Sequence, residues 1–343
     1  MKDVIAELDA WQGTRVALAT VIDVKRSAPR PPGAKMAIND RGEVSGAVSG
    51  GCVEGAVVQV AQEVLAGAAP RVVRYGIEDE QAWDVGLPCG GEIAVWIQAD
   101  PDEGFAQLAR EDRRGALITD LGSGERWLVP ADGSVSAGGL APEALAAAEE
   151  LMWRERSEIV RVGERELFVD VTYPAPRLLA VGAVDFARQL CRVARSIGWR
   201  PYVIDPRGFF ARPDRFPEAE EVLAAWPQEG FARLGIDRAT AIAVLTHDPK
   251  LDDAALLAAL DSEAGYIGAM GSRRAQAGRR ERLVAHGVSE EALERISAPI
   301  GLDLGALSAE ETALSIMGEI VAVRHGRSGG RLRDAAGRIH EVG

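Results

Sequence analysis

Beyond Tyr173-Pro174-Ala175-Pro176 the chain alternates short apolar runs with helix-like stretches, and no other feature narrows its fold as much. Leu178 to Val181, Pro201 to Ile204, Ala239 to Leu245 and Tyr266 to Met270 have strand length and strand composition. Between the first two, Phe186 to Ile197 reads as a helix closed by Gly198, since glycine takes the left-handed turn past a helix end. Gly271-Ser272-Arg273-Arg274 opens another helix, and Ser308-Ala309-Glu310-Glu311 is a capping box for one running to about Arg324. Repeated strand–helix units predict a parallel, doubly wound sheet with ligands at the carboxyl ends of its strands. Pro174 and Pro176 stiffen a connection. The chain therefore divides into a domain over 1–172 and a second over 173–343, which suits its 343 residues.

The first half reads differently. Arg15 to Val24 is a strand, and Val44 to Val48 a second. Between them, Lys25 to Met36 holds three prolines and a glycine and reads as a loop. It carries Lys25, Arg26, Arg30 and Lys35 without an acid, an anion-attracting patch in an otherwise acidic chain. Ser49-Gly50-Gly51-Cys52-Val53-Glu54-Gly55 follows, and helical character begins at Val53 and runs to Leu65. Cys52 thus falls at a helix start, where the dipole and free N–H groups favour a thiolate or a bound anion. Leu87-Pro88-Cys89-Gly90-Gly91 leads into the alternating strand Gly90 to Ile97. Two of the three cysteines therefore sit where the backbone is barest. Accessible thiols do chemistry, although small turns also bury cysteines as hydrophobes. Cys191 lies on the apolar side of its helix and reads as core.

In the second domain the first strand-to-helix turn is Gly182-Ala183-Val184-Asp185. It keeps the first glycine of a dinucleotide fingerprint but has valine where the backbone should approach a pyrophosphate. Asp205, at roughly the 20-residue offset of an acid that binds ribose hydroxyls, supports a nucleotide. His247 and Asp248 stand at a strand's carboxyl end, and Arg273 begins a basic helix as a candidate anion ligand. There is no zinc-type cysteine pair, no P-loop and no nucleophile-elbow serine, so no metal ligands are assigned.

A formal net charge of -13 disfavours nonspecific contact with nucleic acid or an anionic membrane. No apolar run approaches the roughly 20 residues of a membrane span. Met1 to Leu8 opens an amphipathic helix rather than a signal peptide, and three cysteines are an odd, sparse set. Together these point to a reducing cytoplasm. A homodimer is the oligomer that general symmetry favours.

Long motifs in fixed order resemble the xanthine dehydrogenase maturation factors of the XdhC/CoxI family. Ser27-Ala28-Pro29-Arg30, Pro32-Gly33-Ala34-Lys35-Met36, the Ser49–Gly55 segment and Leu87–Gly91 resemble its N-terminal domain. Thr246-His247-Asp248, Tyr266 to Ser272 and Pro299 to Ala306 resemble its Rossmann-like C-terminal domain. The similarity spans about 11 to 326 and departs at Val184-Asp185, where many relatives carry Gly-His. The resemblance implies an α/β protein: an N-terminal mixed α/β domain of the XdhC/CoxI type and a C-terminal Rossmann-like parallel-sheet domain. It implies a chaperone that binds the molybdenum cofactor, as molybdopterin or a dinucleotide form. Such a protein guards the cofactor during sulfuration and passes it to a molybdenum hydroxylase apoenzyme of the xanthine or carbon monoxide dehydrogenase type, with a cysteine desulfurase as sulfur source. Cys52 and Cys89 are then expected near the metal end. Arg30, Lys35, Ser49, Gly50, Gly51, Glu54, Gly90, Gly91, Gly182, Asp205, His247 and Arg273 are expected to hold the rest. Two other readings are open: an NAD(P)-dependent oxidoreductase with a cysteine-assisted site, and a scaffold joining hydroxylase and desulfurase.

Overall fold

Strand β1 (Val16–Lys25) is apolar on both faces, so it can only be an interior strand. Side chains alternate across a strand. Ala17, Ala19 and Val21 enter one core while Val16 and Leu18 enter another. In the computed structural model, which describes residues 1–25, 30–76, 91–132, 134 and 138–335, two compact units are present: Met1–Pro174 and Ala175–Gly343.

In the first unit α1 (Ile5–Ala10) precedes β1, then come β2 (Lys35–Asn39), β3 (Val44–Gly46), α2 (Glu54–Leu65), β4 (Arg71–Tyr75) and β5 (Glu92–Ala99). The five strands form a sheet of order β3-β2-β1-β5-β4, with antiparallel neighbours. The sequence pattern puts Lys35 and Met36 in a loop and does not predict β2. The strand forms because Met36 and Ile38 bury against Val57, Ala61 and Val64 of α2, while Ala37 faces the opposite core. The chain continues through α3 (Glu103–Arg110), β6 (Gly115–Asp120), β7 (Arg126–Pro130), α4 (Pro142–Arg154), β8 (Glu158–Val162) and β9 (Arg165–Thr172). These four strands make a second antiparallel sheet, β7-β6-β9-β8. Phe105 and Ala109 of α3 and Leu117 of β6 cover the face of β1 that α2 leaves open.

The second unit follows strand–helix alternation: β10 (Arg177–Val181), α5 (Asp185–Ser196), β11 (Arg200–Ile204), β12 (Glu221–Leu223), α6 (Pro227–Leu234), β13 (Thr240–Val244), α7 (Pro249–Leu260), β14 (Tyr266–Ala269), α8 (Arg273–Ala285), α9 (Glu290–Leu293), β15 (Ile296–Ser297) and α10 (Ala309–Arg324). All its strand pairs are parallel, in the order β12-β11-β10-β13-β14-β15. Leu178 and Ala180 face a core shared with α5 and α10, and Leu179 and Val181 face the core of α6 and α7. This is a Rossmann-like doubly wound layer whose order reverses at β10/β13, where such folds open a crevice. The capping box forms as read: Ser308 Oγ accepts from the Glu311 amide at 3.1 Å, and the Glu311 carboxylate accepts from the Ser308 amide at 3.2 Å. Cys191 is fully buried, and burial pushes its thiol up to about 12.

Candidate functional site

The turn from β3 into α2 is built around one carboxylate. Gly50 (φ 90) and Gly51 (φ 116) place the backbone in a region that other residues rarely enter, so consecutive amides point inward. Glu54, in the first turn of α2, folds back over them. Its Oε1 accepts from the amides of Ser49 at 2.8 Å and Gly50 at 2.9 Å. Its Oε2 accepts from the Gly51 amide at 2.9 Å and the Ser49 hydroxyl at 2.5 Å. Ser49 Oγ in turn accepts from the amides of Cys52 at 3.0 Å and Val53 at 3.1 Å. Burial pushes the Glu54 carboxyl up, but the Ser49 hydroxyl and the Ser49 and Gly50 amides outweigh it and hold the group at about 2.

This corrects the expectation of an external anion at that helix start. The nest of amides exists, and the chain's own carboxylate fills it. Ser49, Gly50, Gly51 and Glu54 hold the loop in shape, and what the loop presents is Cys52. That thiol is free, half-buried and packed along the edge of the α2 core. Beside it a side chain added at Gly51 or Gly55 would meet nothing within 4 Å, so the surface next to the sulfur is open.

The basic patch is likewise rearranged. Lys35 is fully buried in β2, with Nζ 2.6 Å from Asp170 of β9 and donating to the Gly33 carbonyl at 2.9 Å. Its charge is spent between the two sheets of the unit, because a buried ammonium persists only when paired. It cannot serve as an anion ligand on an exposed loop. Arg30 pairs with Asp3, and Lys25 with Glu92 at 3.0 Å. Cys89 and Gly90 lie outside the described residues, as do Arg26 and Ser27 to Pro29; Gly91 is buried just before β5.

In the second unit Gly182 takes φ 106, and a Cβ there would lie 2.2 Å from Thr246 Cγ2, so close packing of two strand ends requires glycine. Asp205 is completely buried. Its Oδ2 accepts from the Ala183 amide at 2.8 Å and from Arg207 Nη2 at 2.7 Å, and its Oδ1 from Arg207 Nε at 2.9 Å. Burial raises its carboxyl, yet Arg207 and the Ala183 amide hold it below the usual range. The expectation that Asp205 binds ribose is corrected, since its acceptors are turned inward. The turn offers neither a middle glycine nor a free acid to a dinucleotide.

Of the residues singled out at this end of the sheet, His247 lines a cleft and Arg273 does not. The cleft, of about 390 Å³, lies between α7 and α8, and the arginines there are Arg274, Arg279 and Arg282. Sequence reasoning passed over Arg279, although its position was legible. It precedes Leu283, the buried leucine of α8, by one helical turn and so shares its inward face. Among the described residues no group of three or more His, Cys, Asp or Glu side chains could hold a metal ion, and no helix is long and apolar enough to cross a membrane.

The chain thus joins a Rossmann-like unit to a mixed α/β unit whose glycine turn carries a braced, half-buried cysteine. Residues 10–76 match the sequence model of the XdhC and CoxI family, and 178–320 match that of the XdhC Rossmann domain. The chain belongs to the XdhC and CoxI family. It is 29% identical over 316 residues to an Escherichia coli (strain K12) protein named molybdenum cofactor insertion chaperone PaoD, covering 91% of this chain and 84% of that one. It is 25% identical over 327 residues to a Bacillus subtilis (strain 168) protein named as a probable xanthine dehydrogenase subunit, covering 90% and 92%. A crystal structure named as a xanthine dehydrogenase from Bacillus halodurans shares the fold, with a TM-score of 0.68 at 23% identity over 98% of both chains.

Proposed function

We propose that this protein is a maturation factor for a molybdenum hydroxylase: it binds the molybdenum cofactor, shields it while its terminal sulfur is installed, and hands it to the apoenzyme. A cysteine desulfurase supplies the sulfur in this reading, and the client is of the xanthine or carbon monoxide dehydrogenase type. The observation that carries the reading is the Cys52 loop. A half-buried cysteine stands on a turn locked by eight hydrogen bonds around Glu54 and Ser49, with open surface alongside. Soft thiolate sulfur suits molybdenum, and a pre-shaped loop spends little ordering entropy on binding. Similarity to a protein named for cofactor insertion, over nine-tenths of the chain, supports the same role. Cys89 is proposed as a second sulfur at the metal end. The domain over 1–172 carries the thiol chemistry in this reading, which holds for either form of the cofactor, molybdopterin or its dinucleotide.

The test is direct binding of isolated molybdenum cofactor to the purified chain, read by ultrafiltration and pterin fluorescence. Saturable binding that falls at least about tenfold in Cys52→Ala is the expected outcome. Equal binding by Cys52→Ala and Cys89→Ala, with undiminished activation of the hydroxylase, would remove both sulfurs from the site. Robust NADH binding in place of cofactor binding would restore the oxidoreductase reading.

A further inference from the structure

The cleft between α7 and α8 is not absorbed by the thiol loop, and its chemistry is distinct. It is lined by His247 just beyond β13, Asp252 of α7, and Ser272, Arg274, Gly278 and Arg279 from the first half of α8 and its cap. We infer that this cleft is a binding site for a phosphate monoester or diphosphate group. The inference goes beyond the cofactor reading and stands whether or not the thiol loop binds molybdenum.

Three observations converge. First, α8 is a full 13-residue helix whose first turn faces the cleft. Ser272 Oγ caps the Ala275 amide at 3.2 Å, while the amides of Arg273 and Arg274 receive no acceptor among the described residues. Free amides at a helix start, reinforced by its dipole, are suited to phosphate oxygens. Second, Arg279 is 4% exposed and forms a buried wall of the cleft. Its Nη2 donates to Asp252 at 2.6 Å and to the Met270 carbonyl at 3.0 Å, and its Nη1 donates to Gln276. Its Nε proton is buried with no acceptor. A buried donor left unpaired is costly, and a small shift of this guanidinium toward the cleft would let a bound oxyanion accept it.

Third, the charges do not cancel. Arg282 is neutralised by a two-pronged pair with Asp253, at 2.6 and 2.9 Å, and Arg279 by Asp252. Arg274 is exposed and pairs with no carboxylate among the described residues, and His247 stands exposed across the cleft. In a chain of net charge -13, the unbalanced charge of Arg274 is a local excess beside a concave surface. Donors from several directions match tetrahedral phosphate better than a planar carboxylate, and guanidinium groups are the usual partners. A volume of about 390 Å³ admits a diphosphate with part of the group it is esterified to.

The experiment is calorimetric titration of the full chain with inorganic pyrophosphate at physiological ionic strength. Two variants accompany it. Arg274→Ser removes the unpaired cation, and Gly278→Leu fills the cleft, where an added Cβ meets only Arg282 Nη1 at 3.8 Å. Leucine favours the helix, so the second variant stays folded. Saturable binding that weakens at least about tenfold in both variants is the expected result. Absence of saturable binding, or binding that neither variant weakens, overturns the inference. A parallel titration of the cofactor against pyrophosphate-saturated protein separates the sources. Competition assigns the phosphate to the cofactor, and its absence with pyrophosphate binding intact assigns it to another phosphorylated molecule.

Discussion

Both units contain a glycine turn leading into a helix, and in both a carboxylate of the chain itself fills the amides that such turns expose. The two do so over different reaches. Glu54 captures the amides of residues three to five positions before it, so the Cys52 loop is a closed local device. Asp205 captures the Ala183 amide from the end of the neighbouring strand, |i−j| of 22, and is itself clamped by Arg207. The first arrangement stiffens a loop and leaves a thiol on display. The second ties β10 to β11 and displays nothing. A helix start is therefore open to a ligand only after the chain's own acids have been placed. The turns into α2 and α5 are filled in this way, whereas α8 keeps free amides facing a cleft.

Disturbing the second turn should cost most. Gly182→Ala forces a left-handed backbone and a collision with Thr246, and should destabilise the protein by about 4 kcal/mol in urea unfolding. Asp205→Asn should cost about 3 kcal/mol by the same measurement, since it strands Arg207 and weakens the bond to Ala183. Glu54→Gln should cost less, about 2 kcal/mol, because its loop is nearer solvent.

The Glu54 comparison sharpens with pH. The folded carboxyl sits at about 2 against its usual 4.5, so its stabilisation is complete above pH 4.5 and drains away as pH falls toward 2. The parent chain should lose part of its advantage over Glu54→Gln across that window; a gap that stays constant on acidification would show that charge is not what holds the loop. Cys52→Ala should shift stability least, by less than about 1 kcal/mol, because the cysteine is only half-buried and its thiol bonds nothing that another residue needs. If it destabilised as much as Glu54→Gln, the cysteine would be a packing residue and the contrast between the two turns would collapse.

Much of the second unit was legible in the sequence because its code is periodic. Apolar strands, the Gly198 stop and the Ser308 capping box all lie within a few residues of the structure they cause. The start of α2 was legible for the same reason. The partners of charged residues were not. Lys35 looked like one more cation in a basic loop, and only Asp170, far along the chain, makes it a buried strand residue. Asp205 looked like a ribose ligand until Ala183 and Arg207 closed around it. Arg279 was hidden by the four other arginines near it in α8, and what separates it from them is the Leu283 face it shares. Local patterns announce elements, while the fate of a charge depends on which distant segment arrives beside it.

The Lys35–Asp170 pair has a further consequence for how the first unit comes apart. It joins β2 of one sheet to β9 of the other with no solvent on the ammonium. Drawing the sheets slightly apart would leave two bare charges in an apolar gap before water could reach them. Partial opening is therefore penalised more than complete opening, and the two sheets melt as one cooperative block rather than peeling in turn.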